Sequence, residues 1–249
     1  MFIVIPKSNK ELYDFPKSFK LIVLLNTIGK LIEKVIDKYL QFHLISNKFI
    51  YPSQLDGLKQ RSMTNVGVTL THFIWSGWVK NNMTSTLAFN ITQFFLSLNY
   101  HMLSLILGKA RFNPEVVYFF SNYLVGRKTW YFWNNFSSSF FNVDIGVGQS
   151  LAQSPILYTL YLALILHILE KHLKSIKILV SILYFVDNSL IVAQSKTLII
   201  LNSFFFCSYN IASSLLEKFS LIMEHRKIEV FYFSRSHGIF DPPLSTSLL

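Results

Sequence analysis

Residues Ile178 to Gln194, ILVSILYFVDNSLIVAQ, form the stretch whose reading decides the fold. Two runs rich in Ile, Val, Leu, Tyr and Phe meet at the polar step Asp187-Asn188. Such side chains fit a buried pleated surface, and an Asp-Asn pair tolerates the positive φ of a tight turn. The segment therefore predicts a β-hairpin with acid at its tip. A carboxylate between two apolar strands costs several kcal/mol to desolvate unless a metal or a cation meets it. The alternative is a turn whose Asp and Asn face solvent.

Working outward, Thr84 to Ile91 reads as a strand reaching Asn90, and Tyr100 to Lys109 as a helix. Asn113-Pro114 is an N-cap and first-turn pair for a second helix, ending near Gly126. Thr129 to Phe136 and Phe140 to Val147 predict a hairpin turning through Asn134 to Ser139, with Trp130 and Trp133 either packing or stacking on bases. A long apolar helix runs from Ser154 to Leu169, another helix from Ser203 to Phe219 with Leu215, Leu216 and Phe219 inward, and a final hairpin from Leu221 to Phe233. Near the start, Ile28, Leu31, Ile32, Val35, Ile36 and Leu40 recur at helical spacing from Thr27 to about Leu44, opposite Lys30, Glu33, Lys34, Asp37 and Lys38. That pattern predicts an amphipathic helix with the apolar stripe packed inward. Gln54 to Ser62 reads as a loop containing glycine.

The 249 residues can bury a sizeable core as one large domain or two lobes, and 51% of them are hydrophobic against 14% charged. The strongest membrane candidate, Ser154 to Leu169, is short against the roughly 20 apolar residues a bilayer needs, so a buried core helix is the expectation. A single cysteine, Cys207, excludes an internal disulfide and a cysteine-based zinc site and points to an intracellular, reducing setting. The net charge is +10, and residues 1–80 carry eleven Lys and Arg against five Asp and Glu. This basic excess suits a polyanion, nucleic acid or anionic lipid.

Phe185-Val186-Asp187-Asn188 resembles the aromatic-x-Asp-Asp signature of reverse transcriptases, with the second Asp replaced by Asn. In the family's order and spacing stand Leu87 to Phe95, LAFNITQFF, similar to the first catalytic strand, and Gly148 to Pro155, GQSLAQSP, similar to Gln-Gly-x-x-x-Ser-Pro. Lys227 to Phe231, KIEVF, sits where the family has a lysine-bearing hairpin. Ile5-Pro6-Lys7, Leu24 to Lys34 and Gln54 to Ser62 resemble the fingers of non-LTR (LINE-type) retrotransposon enzymes. The likeness covers roughly residues 3–235.

The resemblance implies an α+β right-hand polymerase. Residues 1–80 would be partial fingers, 81–235 a palm of antiparallel strands packed on helices with finger insertions, and 236–249 a disordered tail, without a thumb. It implies RNA-directed DNA synthesis on an RNA template and DNA primer with dNTP and two Mg²⁺ ions, and no membrane or obligate protein partner. The metal-ligand places hold Asn90, Asp187 and Asn188. Phe95 stands at the aromatic gate, Gln149 and Ser150 beside the nucleotide, and Lys7 and Lys20 toward its triphosphate. Lys59 and Arg61 would meet template phosphates, and Lys227 would protonate pyrophosphate. Magnesium prefers hard anionic oxygens, and Asn offers only a neutral carbonyl, so an impaired or inactive enzyme is expected. Ser150 and Ser220 replace glycines of the family pattern. Asp to Asn and Gly to Ser share one mutational direction, that of a degenerate copy. Two other readings stay open: a non-catalytic nucleic-acid-binding remnant, and a small basic membrane protein.

Overall fold

The computed structural model describes residues 1–8, 12–55, 61–148, 150–176 and 178–235. In chain order the chain forms strands β1 (Phe2–Pro6) and β2 (Phe19–Val23), helices α1 (Thr27–Ser46) and α2 (Met63–Val79), and strand β3 (Met83–Asn90). Helices α3 (Phe94–Ser97), α4 (Tyr100–Lys109) and α5 (Pro114–Leu124) come next. Four short strands follow: β4 (Arg127–Thr129), β5 (Tyr131–Trp133), β6 (Phe136–Ser137) and β7 (Phe141–Val143). Helix α6 (Ser154–Lys174), strands β8 (Leu179–Phe185) and β9 (Asn188–Ser195), helix α7 (Leu198–Lys218) and strand β10 (Glu229–Phe233) complete a mixed α+β architecture. These elements separate into two compact units, Met1–Phe49 with Gln93–Tyr161, and Ile50–Thr92 with Leu162–Leu249.

The second unit is built on an antiparallel sheet of order β10-β3-β9-β8. Residues alternate across it as the two-residue period requires. Leu183 and Val192 meet Val66 of α2 on one face, with Leu190 and Phe73 packed around them. On the other face Phe89 and Ile91 meet Leu162 and Leu166 of α6 and Leu215 and Leu216 of α7. The predicted hairpin is present, but its turn lies one residue earlier than the polar step. Phe185 pairs with Asn188, leaving Val186 and Asp187 as the loop. Val186 has φ 56°, a left-handed value that a β-branched residue rarely adopts.

Helix α2 was not expected, because three threonines and two glycines lower its helix propensity. Two contacts overcome this. The Asn65 side chain accepts from the Ser62 N–H at 3.1 Å and hydroxyl at 2.6 Å, closing the first turn. At Gly77 a Cβ would fall 2.5 Å from the Thr84 hydroxyl oxygen, so glycine admits the close approach of α2 to β3. The final predicted hairpin is replaced by a 3-10 turn, His225–Lys227, leading into β10, which pairs with β3.

In the first unit β1 pairs antiparallel with β2 and parallel with β5, giving the order β2-β1-β5-β6. The single hairpin expected over Thr129–Val147 splits in two. Asn134 and Asn135, at φ 45° and 65°, fold β5 back onto β6 with Trp133 opposite Phe136. Strand β4 pairs separately with β7. Asn tolerates the left-handed conformation, and two in succession meet the demand of a type I′ turn. Trp133 lies edge-on to Phe19 at 5.6 Å and Trp130 edge-on to Phe140 at 4.9 Å. Helices α4 and α5 start on side-chain caps: Asn99 accepts from the Met102 N–H, and Asn113 from the Glu115 N–H ahead of Pro114.

Helix α1 has the expected extent, but only part of the expected stripe, Ile36 and Leu40, turns inward. Ile28, Leu31 and Val35 are 70%, 63% and 62% exposed, whereas Glu33 is 2% exposed beside buried Leu40 and Leu44. Three hydrogen-bond donors gathered around Glu33 decide the matter. Helices α6 and α7 are both long and apolar enough to cross a membrane. The apolar stretch of α6 is largely buried inside the protein and that of α7 about one-third buried.

Candidate functional site

The open end of the second unit's sheet collects polar groups where its apolar strands stop. Asn90 and Asn188 are directly opposed across the β3–β9 ladder. The Ile91 N–H donates to the Asp187 carbonyl at 3.0 Å, and the Asn188 amide donates to the Asp187 carboxylate at 3.2 Å. Asn90 and Asp187 are half-buried and Asn188 is exposed. On the other edge of β3, the Glu224 N–H donates to the Asn90 carbonyl at 2.8 Å, and the Thr92 hydroxyl donates to the Glu224 carboxylate at 3.3 Å. Lys227 is exposed at the end of the 3-10 turn, its N–H bonded to the Glu224 carbonyl at 3.0 Å. Sequence reading passed over Glu224, since nothing in the chain order placed it beside Asn90.

This set does not fit a clamp for two magnesium ions. Of the three ligand places only Asp187 is anionic, and among the described residues no group of three or more His, Cys, Asp and Glu could hold a metal. Two divalent charges need carboxylate oxygens to offset them.

In the first unit a loop enters through Gly146–Gly148 and leaves through Ser150–Ser154, and Gln149 lies outside the described residues. Its entry is fixed on three sides. The Val147 N–H donates to the Phe95 carbonyl at 2.6 Å, the Gly146 N–H donates to the Leu98 carbonyl at 2.9 Å, and the Arg127 guanidinium bonds the Gly146 carbonyl and the Tyr100 hydroxyl. Gly146, at φ 82°, would place a Cβ 2.7 Å from the Leu96 carbonyl oxygen, so only glycine fits. The Phe95 ring stacks on Tyr158, 5.3 Å between centroids. The loop's exit closes through the Ser154 hydroxyl, which donates to the Gly148 carbonyl at 2.7 Å.

The exit is also tied to Glu33. Its carboxylate accepts from the Tyr123 hydroxyl at 2.6 Å, the Ala152 N–H at 3.1 Å and the Gln153 amide at 3.4 Å. Burial pushes the Tyr123 hydroxyl's pKa well up, and the bond to Glu33 adds to the rise, because both favour the neutral donor. Glu33 shares a helical face with Ile36, Leu40 and Leu44, so the buried face keeps Ile36 and Leu40 of the expected stripe and takes Glu33 in place of Ile28, Leu31 and Val35.

Ser150 has φ 76° and Ser220 φ 59°. Ser220 follows α7 in a Schellman arrangement: its own N–H donates to the Glu217 carbonyl, and the Leu221 N–H to the Leu216 carbonyl, both at 2.9 Å. Both serines thus occupy backbone conformations that favour glycine. The cost of each side chain there is a conformational one.

Lys20 stands opposite Ile5, and the Lys7 N–H continues the ladder to the Ser18 carbonyl at 2.9 Å. The register places both exposed lysines on the same face of the β1–β2 ribbon. Arg61 is engaged with backbone, its guanidinium donating to the Gln54, Tyr51 and Pro52 carbonyls. Lys59 and residues 236–249 lie outside the described residues.

The pattern of the reverse transcriptase (RNA-dependent DNA polymerase) family matches residues 5–240. No curated protein matches. Solved structures do. Apo telomerase from Candida tropicalis truncated from its C-terminal domain superposes with TM-score 0.61 at 14% identity, over 89% of this chain and 49% of that one. Candida tropicalis telomerase in complex with a fragment of telomeric RNA gives 0.60 at 12% identity, over 84% and 34%. The Candida albicans telomerase complex gives 0.56 at 14%, over 89% and 40%. At these identities the likeness is one of fold, and the chain spans half or less of the length of each of these structures.

Proposed function

The chain belongs to the reverse transcriptase (RNA-dependent DNA polymerase) family, and from that premise we propose that it is a fingers-and-palm portion of the non-LTR type. In this reading it holds the geometry for template, primer and nucleotide, but nucleotidyl transfer is impaired. The observation that carries the proposal is the opposition of Asn90 and Asn188 across the β3–β9 ladder, which leaves Asp187 as the one carboxylate among the three ligand places. A unit charge pair about 4 Å apart is worth about 4 kcal/mol at an effective dielectric of 20, and twice that against a divalent ion. Since about 1.4 kcal/mol is tenfold in rate, loss of the first-strand carboxylate costs several powers of ten.

The RNA template is the proposed partner. Telomerase structures of the same fold hold an RNA fragment, and Lys7 and Lys20 share one exposed face suited to phosphates. The intracellular setting rests on the use of one cysteine, Cys207, which is free and exposed.

Primer extension on an RNA template with Mg²⁺ or Mn²⁺ tests the reading. The expected outcome is incorporation near background from this sequence and a gain of at least a hundredfold in the double variant Asn90→Asp/Asn188→Asp. Robust incorporation by the unaltered chain, abolished by Asp187→Ala, would overturn the impairment. Salt-sensitive RNA binding without any gain on reversion would favour a binding remnant instead.

A further inference from the structure

Glu33 is a buried carboxylate outside the metal-ligand places. It is 2% exposed. Its charge is met by Tyr123, Ala152 and Gln153, at 2.6, 3.1 and 3.4 Å. An anion taken out of water costs several kcal/mol, and hydrogen bonds to the charged form are what offset that cost. Two of the three donors, the Ala152 N–H and the Gln153 amide, belong to the exit of the loop that carries Ser150. The side-chain oxygen of Gln153 is itself buried with no hydrogen-bond partner, whereas its main-chain carbonyl accepts from the Leu157 N–H at 3.1 Å. The loop's entry is independently pinned to the Phe95 and Leu98 carbonyls.

We propose that Glu33 is a positioning residue for nucleotide binding: from helix α1 it fixes the exit segment Ser150–Ser154, and so holds Ser150 where the nucleotide is received. The nucleotide part rests on the functional reading above; the anchoring part does not. Glu33 touches no reacting atom. It acts through the Ala152 backbone, which a neutral side chain without an acceptor cannot hold.

Three variants separate the roles. Glu33→Ala removes every acceptor, Glu33→Gln keeps one carbonyl oxygen for Ala152 or Tyr123, and Tyr123→Phe removes one donor while sparing the loop. Each is compared with its parent by amide hydrogen exchange and, on the Asn90→Asp/Asn188→Asp background, by the Kd for a templated dNTP and for template–primer alone. Glu33→Ala is expected to raise exchange at residues 150–154 at least tenfold, leaving strands β8 and β9 protected. It should weaken dNTP binding at least tenfold with template–primer affinity unchanged. Glu33→Gln should recover to within about threefold on both readouts, and Tyr123→Phe, which folds even if Glu33→Ala does not, should leave the loop protected.

Unchanged exchange in a folded Glu33→Ala protein, or loop exchange raised at least tenfold in Tyr123→Phe, would overturn the anchoring. Loop release with unchanged dNTP affinity would overturn the nucleotide role. If the parent binds no dNTP while Glu33→Ala still frees the loop, it is the functional reading that fails, and the anchor stands.

Discussion

Placing carboxylates at both positions, Asn90→Asp with Asn188→Asp, should give the protein a stability that rises with magnesium. These residues face each other across the ladder, which puts their Cβ atoms about 4.5–5.5 Å apart. Asp187 is immediately adjacent, already bonded to the Asn188 amide at 3.2 Å. Two like charges about 5 Å apart repel by roughly 0.8 kcal/mol in water and roughly 3 kcal/mol at an effective dielectric of 20. Both substitutions also remove amide donors, the Asn188 one included. The metal-free revertant should therefore be less stable than the parent by about 1–3 kcal/mol, or about 2–4 °C in Tm for each kcal/mol at this chain length. Mg²⁺ acts with the opposite sign, since each new carboxylate attracts a divalent ion about twice as strongly as a unit charge. At a concentration 100 times its Kd the ion returns about 2.7 kcal/mol. Thermal unfolding in EDTA and in saturating Mg²⁺ measures both effects. The parent should shift little between the two conditions, whereas the revertant should start lower and rise with Mg²⁺. A revertant as stable as the parent in EDTA and indifferent to Mg²⁺ would refute the clustering of these three positions.

Ser220→Gly should stabilise the protein by about 1 kcal/mol in urea denaturation, because the left-handed C′ position of the Schellman motif suits glycine. Ser150→Gly should do the same at φ 76°, and destabilisation by either substitution would show that the serine side chain makes an interaction outweighing the strain. Gly146→Ala, by contrast, should cost about 2 kcal/mol or more, since it combines positive φ with a Cβ 2.7 Å from the Leu96 carbonyl oxygen. Replacing Lys7 and Lys20 together by Met should weaken RNA binding and flatten the plot of log K against log salt by about 0.7 for each single-strand phosphate that is no longer neutralised; an unchanged slope would remove the β1–β2 ribbon from the binding surface. Arg61→Ala should lower stability by about 1–3 kcal/mol through the backbone carbonyls it leaves without a donor, and unaltered unfolding would show that water replaces the guanidinium there.

Periodicity in the chain determined the elements that are long or strongly patterned. The β8–β9 hairpin, β3, α1, α4 and α6 were legible because burial of a pleated face or a helical stripe writes a regular spacing into the sequence, and the N-cap at Asn113 because capping is local chemistry. The order of the Asn90, Gln149, Asp187 and Lys227 segments likewise carried the family. What spacing cannot encode is which partner a face will meet. In helix α1 the apolar positions run wider than one buried face, and which of them turn inward was selected by Tyr123, Ala152 and Gln153, which lie 90 or more residues away and satisfy Glu33. Helix α2 forms despite poor propensity because a sheet built from distant strands packs against Val66 and admits Gly77. Register decided the rest: a shift of one residue moved the turn from Asp187-Asn188 to Val186-Asp187 and set Asn188 against Asn90. Hydrogen-bond pairing across strands is a long-range choice, made by the summed burial of both faces, and no local stretch contains that sum.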